Sequence, residues 1–221
     1  MRSTRKKVLV VDVGGTHVKV LASGERERRE IESGPRMTAR GMVAAVKRIT
    51  ADWRYDAVSL GYPGPVLHGR PVAEPHNLGR GWLGFDFRKA FGKPVRVLND
   101  AAMQALGSYR GGTMLFLGLG TGLGSALIVD GVLAPLELAH LPYKNGKSYE
   151  HWVGQRGLRR LGKRRWTREV AAVVAKLRAA LDAEYVVLGG GNARHLVRLP
   201  RGALLGDNDN AFRGGFALWK E

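Results

Sequence analysis

From Val8 to Leu21 the chain reads VLVVDVGGTHVKVL: an apolar run ends in Asp12, breaks at Gly14 and Gly15, and resumes as a second apolar run. That pattern predicts strand, glycine turn, strand, with Ser23-Gly24 as the next turn and Arg28 to Glu32 as a third strand. Met114 to Ile128, MLFLGLGTGLGSALI, repeats the order, with Val129-Asp130-Gly131 as its turn and Val132 to Ala134 as its third strand. Each half then proceeds to a helix and a further strand. These are Thr38 to Trp53 and Ala57 to Leu60 in the first half, and Arg165 to Leu181 and Glu184 to Leu188 in the second. Both closing strands end in glycine, at Gly61 and at Gly189 to Gly191. Such a repeat predicts two similar α/β lobes facing one another, the cleft between them receiving glycine turns from both sides.

Gly14 and Gly15 let the backbone turn tightly and bring bare N–H groups against an anion, where a side chain would block the approach. Thr16 can add a hydroxyl donor, Lys19 a charge, and Asp12 is placed to hold a hydrated Mg²⁺. An ordinary Asp-Gly-Gly hairpin is the alternative, and the second copy weighs against it. In Val95 to Tyr109, VRVLNDAAMQALGSY, a short strand delivers Asn99 and Asp100 to the mouth of a helix whose apolar face carries Ala102, Met103 and Leu106. Asp100 can cap that helix, or it can act as a general base taking the proton of a sugar hydroxyl as it attacks phosphorus, with Asn99 orienting the hydroxyl. With two phosphate turns elsewhere, the catalytic role is the one carried forward. In LELAHLPYKNGKSYE, Glu137, His140 and Glu150 suit a polyhydroxylated ligand, or else form a solvated charged loop. His140 has no partner at metal-ligand spacing. GYPGPV at Gly61 to Val66 and Asn77 in PHNLGRGW carry the same ambiguity between ligand approach and simple connection.

The 221 residues, 44% hydrophobic, are enough for a sizeable core. There is no cysteine, which removes disulfides, thiolate catalysis and cysteine-ligated zinc and fits a cytoplasmic setting. The basic start MRSTRKKVLVV superficially resembles a signal-peptide head, but Asp12 and Gly14 cut its apolar run, and no segment has membrane-spanning length. Charge changes the picture more. Lys and Arg number 36 against 19 Asp and Glu, giving +17 and a pI near 10.8, so a polyanion is an obvious partner. The densest run holds Arg156, Arg159, Arg160, Lys163, Arg164, Arg165 and Arg168; its partner is a nucleic acid, a phosphate polymer or nothing specific. Apart from Trp152 and Trp166 it has few aromatic neighbours, so no base-stacking platform is evident.

The order DVGGTHVK, GYPGPV, HNLGRGW, VLNDAA, LGLGTGLGSALIVDGVLAPLELAH, GKSYE, RRW and YVVLGGG resembles the ROK family of sugar kinases, and within it the polyphosphate glucokinases most closely. The resemblance runs from Val8 to roughly Phe216, and its most specific block is GTGLGSALIVDG to ELAH. It implies an actin-like, ribonuclease-H-like double lobe closing on glucose and moving a phosphoryl group to the 6-hydroxyl. By motif position, Asp100 resembles the catalytic base, and Asn77, Asn99, Glu137, His140 and Glu150 the sugar ligands. Asp12, Gly14, Gly15, Thr16 and Lys19 resemble the first phosphate loop, with Asp12 as the metal ligand, and Gly120, Thr121, Gly122 and Gly124 the second. Gly189, Gly190 and Gly191 correspond to positions beside a nucleotide's adenosine. The expected lobes are residues 1–101 and 102–221, with the last helix able to return to the first.

Departures bear on efficiency and donor. Ala139 stands where the family usually has glycine and Ala102 where it has a second aspartate; the cysteine-rich zinc loop is missing, so no zinc is expected, and Gly146 to Glu150 resembles the zinc-free loop. Loops between Glu150 and Arg165 and after Gly191 look trimmed. The basic excess favours inorganic polyphosphate as donor, with ATP beside it or in its place and Mg²⁺ as cofactor. No membrane partner is expected, and pairing as a homodimer is open. A non-catalytic sugar sensor and a nucleic-acid-binding protein are the two rival readings.

Overall fold

The computed structural model describes residues 6–207 and 209–219. The chain divides into two compact units, one formed by the residues up to Met103 together with those from Ala211 onward, the other by Gln104–Asn210.

The first unit holds β1 (Val8–Val13), β2 (His17–Ala22), β3 (Arg29–Glu32), α1 (Ala39–Ile49), β4 (Ala57–Tyr62), the short β5 (Val66–Leu67) and β6 (Arg70–Pro71), α2 (Phe87–Phe91), β7 (Val95–Asn99) and the start of α3 (Asp100–Ser108). Its main sheet has the order β3-β2-β1-β4-β7. β1 pairs antiparallel with β2 and parallel with β4, and β4 pairs parallel with β7. Every residue of β4 is buried, and all of β1 except the half-buried Asp12, as expected for central strands covered on both faces. β2 begins exposed at His17 and then alternates, burying Val18, Val20 and Ala22. On one face lie Met42, Val43 and Val46 of α1 with Trp53, Trp82, Phe87 and Phe91; Val8, Val10, Met103, Ala211 and Phe212 form a second cluster.

Two boundaries differ from the sequence reading. Ser23-Gly24 ends β2 in the expected tight turn, the Glu25 amide donating to the Ala22 carbonyl at 3.1 Å with Gly24 at a φ of 93°, but the chain runs on to Arg29 and not Arg28 before pairing again. α1 starts at Ala39, with the Thr38 hydroxyl accepting the Gly41 amide at 3.1 Å, and it stops at Ile49 rather than Trp53. Thr50 ends it by donating its hydroxyl to the Val46 carbonyl, which frees Trp53 to fold into the core with Arg29 over its ring at 4.2 Å.

The second unit holds β8 (Thr113–Leu119), β9 (Leu123–Val129), β10 (Val132–Leu136), the ribbon β11 (Pro142–Lys144) and β12 (Lys147–Ser148), α4 (Tyr149–Val153), α5 (Gln155–Ala180), β13 (Tyr185–Gly189) and β14 (Ala203–Leu205). Its sheet order, β10-β9-β8-β13-β14, repeats that of the first: two antiparallel hairpins followed by two parallel strands. Asp130 and Gly131 adopt positive φ, 48° and 83°, and make the predicted two-residue hairpin. Trp166, Val170, Val173, Val174 and Leu177 recur at helical spacing and bury one stripe of α5. The stretch between Glu150 and Arg165, expected as a trimmed loop, is helical instead. Its arginines are good helix formers; Gly154 in extended backbone separates α4 from α5, and Gly162, with a φ of 69°, interrupts α5.

α6 (Asn210–Ala217) carries Ala211 and Phe212 onto Val8 and Val10. Ser59, buried in β4, donates its hydroxyl to the Gly215 carbonyl at 2.6 Å and accepts from the Trp219 indole at 2.9 Å, while Arg96 lies over the Trp219 ring at 4.3 Å. Ser59→Ala therefore strands a carbonyl and an indole N–H in a largely apolar setting. Urea unfolding is expected to give a loss of about 1–3 kcal/mol; a loss below about 0.3 kcal/mol would show that the α6 segment is held by its apolar contacts alone.

Candidate functional site

The first glycine turn, Gly14-Gly15-Thr16, joins β1 to β2. Neither glycine has positive φ; they are needed for space. A Cβ on Gly14 would stand 2.8 Å from the His17 carbonyl oxygen, and one on Gly15 would stand 3.0 Å from Cβ of Asn77. Thus the lone amide of PHNLGRGW is packed against the first glycine turn. It is brought there by Glu74, whose carboxylate accepts the amides of Gly81, Trp82 and Leu83 at 3.1, 3.2 and 3.4 Å and curls the segment.

Two carbonyls of this turn, those of Gly14 and Thr16, are tied back. Ser33 donates its hydroxyl to the Gly14 carbonyl at 2.6 Å and its amide to the Thr16 carbonyl at 2.9 Å. No hydrogen bond among the described residues engages the amides of Gly15 and Thr16. With these two oxygens taken and two amides left over, the turn has N–H to offer an anion.

Asp12 faces Lys19 across the ladder, and its Oδ1 lies near Gly61, whose added Cβ would be 3.4 Å away. Burial pushes the Asp12 carboxyl up to about 6, with Lys19 pulling the other way. A single carboxylate is what Mg²⁺ needs when it keeps most of its waters and shares phosphate oxygens. Among the described residues no three His, Cys, Asp or Glu cluster as a complete metal cage.

At the end of β7, Asn99 caps α3: its side-chain oxygen accepts the Ala101 and Ala102 amides at 2.9 and 3.2 Å, and its nitrogen donates to the Gly64 carbonyl at 3.0 Å. The capping role weighed for Asp100 falls mainly to Asn99, and GYPGPV is the segment it pins. Asp100 accepts the Ala101 amide at 2.8 Å and keeps part of its surface accessible. Ala102 is fully buried on the inner side of α3.

In the second unit the turn from Gly120 to Gly122 joins β8 to β9. Here too the carbonyls are taken: Asn192 donates its side-chain amide to Gly120 at 2.7 Å, and the Gln155 amide reaches Gly120 and Thr121 at 3.1 and 3.2 Å. No hydrogen bond among the described residues engages the amides of Thr121 and Gly122. Glu150 packs so closely on Gly122 that a Cβ there would overlap its carboxylate. Gly190, with φ of 80°, packs on the Leu119 backbone, so the triple glycine borders the same turn. Gly124 continues into β9 beside Gly118.

Glu137 and His140 are exposed on the loop after β10. Ser125 holds that loop, donating to the Leu136 carbonyl and accepting the Leu138 amide at 2.9 and 3.2 Å, while Ala139 accepts the Glu150 amide at 3.0 Å. A pocket of about 840 Å³ contains Glu150 and Thr121 but neither Glu137 nor His140; its wall includes Lys147, His151, Arg156, Arg159 and Arg160. Sequence reading missed Ser33, Asn192, Gln155, Ser125 and Glu74. Their partners lie from 7 to 72 residues away, and Gln155 acts through its backbone amide, so none carried a signal in its own neighbourhood.

The sequence pattern of the ROK family matches residues 8–135. A polyphosphate glucokinase of Mycobacterium tuberculosis is 30% identical over 161 residues, covering 64% of this chain and 58% of that protein. The chain spans less than two thirds of the length of the curated relatives it matches. Among solved structures, an inorganic polyphosphate/ATP-glucomannokinase from Arthrobacter sp. strain KM superposes with a TM-score of 0.82 at 25% identity, over 96% of this chain and 98% of that one. A ROK family glucokinase from Streptomyces griseus, in complex with glucose and AMPPNP, gives 0.78 at 20% identity over 96% and 99%.

The raised Asp12 sets a pH dependence. The unfolded carboxyl ionises near 3.8 and the folded one near 6, so stability falls as pH rises through that window and is level above it. In chelator-containing buffer, Asp12→Asn is expected to be more stable than the parent at pH 8, by on the order of 1–3 kcal/mol, with the gap closing by pH 4. An unchanged difference across that range would show that Asp12 is not held in its raised state.

Proposed function

The chain belongs to the ROK family, with an actin-like ATPase fold, and we propose that it is a sugar kinase transferring a phosphoryl group from inorganic polyphosphate or ATP to the 6-hydroxyl of glucose or a related hexose. The observation that carries this reading is the pair of glycine turns, one in each unit, whose carbonyls are hydrogen-bonded inward while their amides are left for an anion. A structural hairpin has no need of that arrangement twice. The named activities of the polyphosphate glucokinase and the polyphosphate/ATP-glucomannokinase support the same reading.

Phosphoryl transfer asks little covalent chemistry of a protein; alignment of acceptor and donor and stabilisation of charge on the transferring group do the work. In this reading Asp100 is the general base: it receives the proton of the sugar hydroxyl as that oxygen attacks phosphorus. Asn99 fixes the start of α3 and so the direction of Asp100. Asn77, Asn99, Glu137, His140 and Glu150 supply hydrogen bonds to sugar hydroxyls, and paired donors and acceptors of this kind discriminate among polyhydroxylated ligands. The amides of Gly15, Thr16, Thr121 and Gly122, with Gly14, Gly120 and Gly124 shaping the turns, meet phosphate oxygens. Lys19 adds charge, and Gly189 to Gly191 would border an adenosine when ATP is the donor, with open space beside Gly191. Bound Mg²⁺ would be held through Asp12 and would neutralise charge on the phosphates.

The +17 balance favours polyphosphate over ATP, because a chain of phosphates engages many cations at once. The test is glucose phosphorylation with each donor at about 50 and 200 mM salt, where the polyphosphate reaction is expected to fall more steeply. Asp100→Ala is expected to lower turnover by about 10²-fold or more while glucose affinity changes little. Undiminished turnover in that variant would remove Asp100 as the base. Glucose binding without transfer from either donor would make the chain a sugar-binding member of the family and not a kinase.

A further inference from the structure

The basic run is not one surface. Arg156, Arg159 and Arg160 lie at i, i+3 and i+4 on one face of α5, and the break at Gly162 separates them from Lys163, Arg164, Arg165 and Arg168. Only the first three line the pocket of about 840 Å³, where Lys147 and His151 join them and Thr121 of the second glycine turn forms part of the floor. All three arginines and Lys147 are exposed, and no ion pair among the described residues engages them. The one acid of the wall, Glu150, lies against Gly122, and Glu169 further along α5 is taken by Lys144 at 2.9 Å. Arg160 is held in place, its guanidinium 4.4 Å over the Trp152 ring. A concave wall of unneutralised cations running up to a turn that offers amides is a site for a linear, multiply charged anion.

We propose that this pocket binds an inorganic polyphosphate chain, with one phosphate at the Thr121 turn and the following ones along Arg156, Arg159, Arg160 and Lys147. The inference rests on the reading of a phosphate donor and assigns the part of the chain that holds its extended tail. Nucleic acid fits less well, because both tryptophans of the region face inward. Trp152 is buried beneath Arg160, and Trp166 is fully buried, its indole donating to the Val153 carbonyl at 3.0 Å, so neither can stack on a base.

His151 supplies a readout in the unaltered protein. Burial, then Arg160, Lys147 and Arg156, hold its imidazole below the ordinary value. Sodium tripolyphosphate in the pocket is expected to shift the His151 titration upward by NMR, since the anion offsets those charges. In parallel, binding of a long-chain sodium polyphosphate is measured by calorimetry at several salt concentrations. Arg156→Gln/Arg159→Gln/Arg160→Gln is expected to weaken binding at least about tenfold and to flatten the log K against log salt slope by about 2, using the single-strand value per neutralised phosphate. Arg156→Gln/Arg159→Gln, which leaves the Arg160–Trp152 contact intact, is expected to show most of that loss. Arg164→Gln/Arg165→Gln is expected to change it by less than about twofold. Equal losses from the pocket and control variants, an unmoved His151, or displacement of polyphosphate by duplex oligonucleotide at matched charge would each overturn the assignment. These measurements need neither sugar nor transfer. Polyphosphate held in the pocket of a chain that phosphorylates nothing would sink the kinase reading alone, whereas an active kinase indifferent to the pocket variants would sink the pocket alone.

Discussion

A backbone loop that meets an anion must dispose of its own carbonyl oxygens, each of which repels the ligand and also needs a partner. Both glycine turns meet this constraint with groups remote in sequence: Ser33 for the first, Asn192 and the Gln155 amide for the second. The rest of each unit follows from keeping those partners in place. Ser33 arrives because β3 pairs with β2; Gln155 arrives because α4 and α5 are docked by Trp152, Val153 and Trp166. The cores are thus the frames that hold a few hydrogen bonds in register.

Charge is arranged with the same economy of position. The sequence presents a single arginine-rich run, but one residue in the left-handed region, Gly162, divides it into a group lining a concave wall and a group outside that wall. Net charge alone describes a field that attracts any polyanion. The division at Gly162, the burial of the two tryptophans and the proximity of Thr121 turn that general attraction into a directed one. The same segment packs its other side as an ordinary amphipathic helix, so structural and electrostatic duties share one element without competing for the same residues.

Much of the architecture was readable because hydrophobic periodicity and glycine punctuation are local. The strand, turn, strand repeat and the turn at Asp130-Gly131 each depend on residues adjacent in sequence. The segment from Glu150 to Arg165 was misread as loop, since dense arginine masks a short apolar stripe and only Trp152, Val153 and Leu158 betray it. In the candidate site, motif order supplied the glycine turns and the neighbourhood of Asp100, but not the closeness of Asn77 to Gly15 or of Glu150 to Gly122. Those approaches depend on what Glu74 and α4 do some way along the chain.

One unit is interrupted in sequence by the other: the strands of the first precede Met103, and the α6 segment that seals β4 through Ser59 follows Ala211. During synthesis, therefore, the first sheet emerges early but stays without its cover until the whole second unit has left the ribosome. Through that interval Val8, Val10 and Ser59 wait with one face unprotected, and the nascent protein is more exposed to aggregation and to chaperone capture than a chain of two consecutive domains would be.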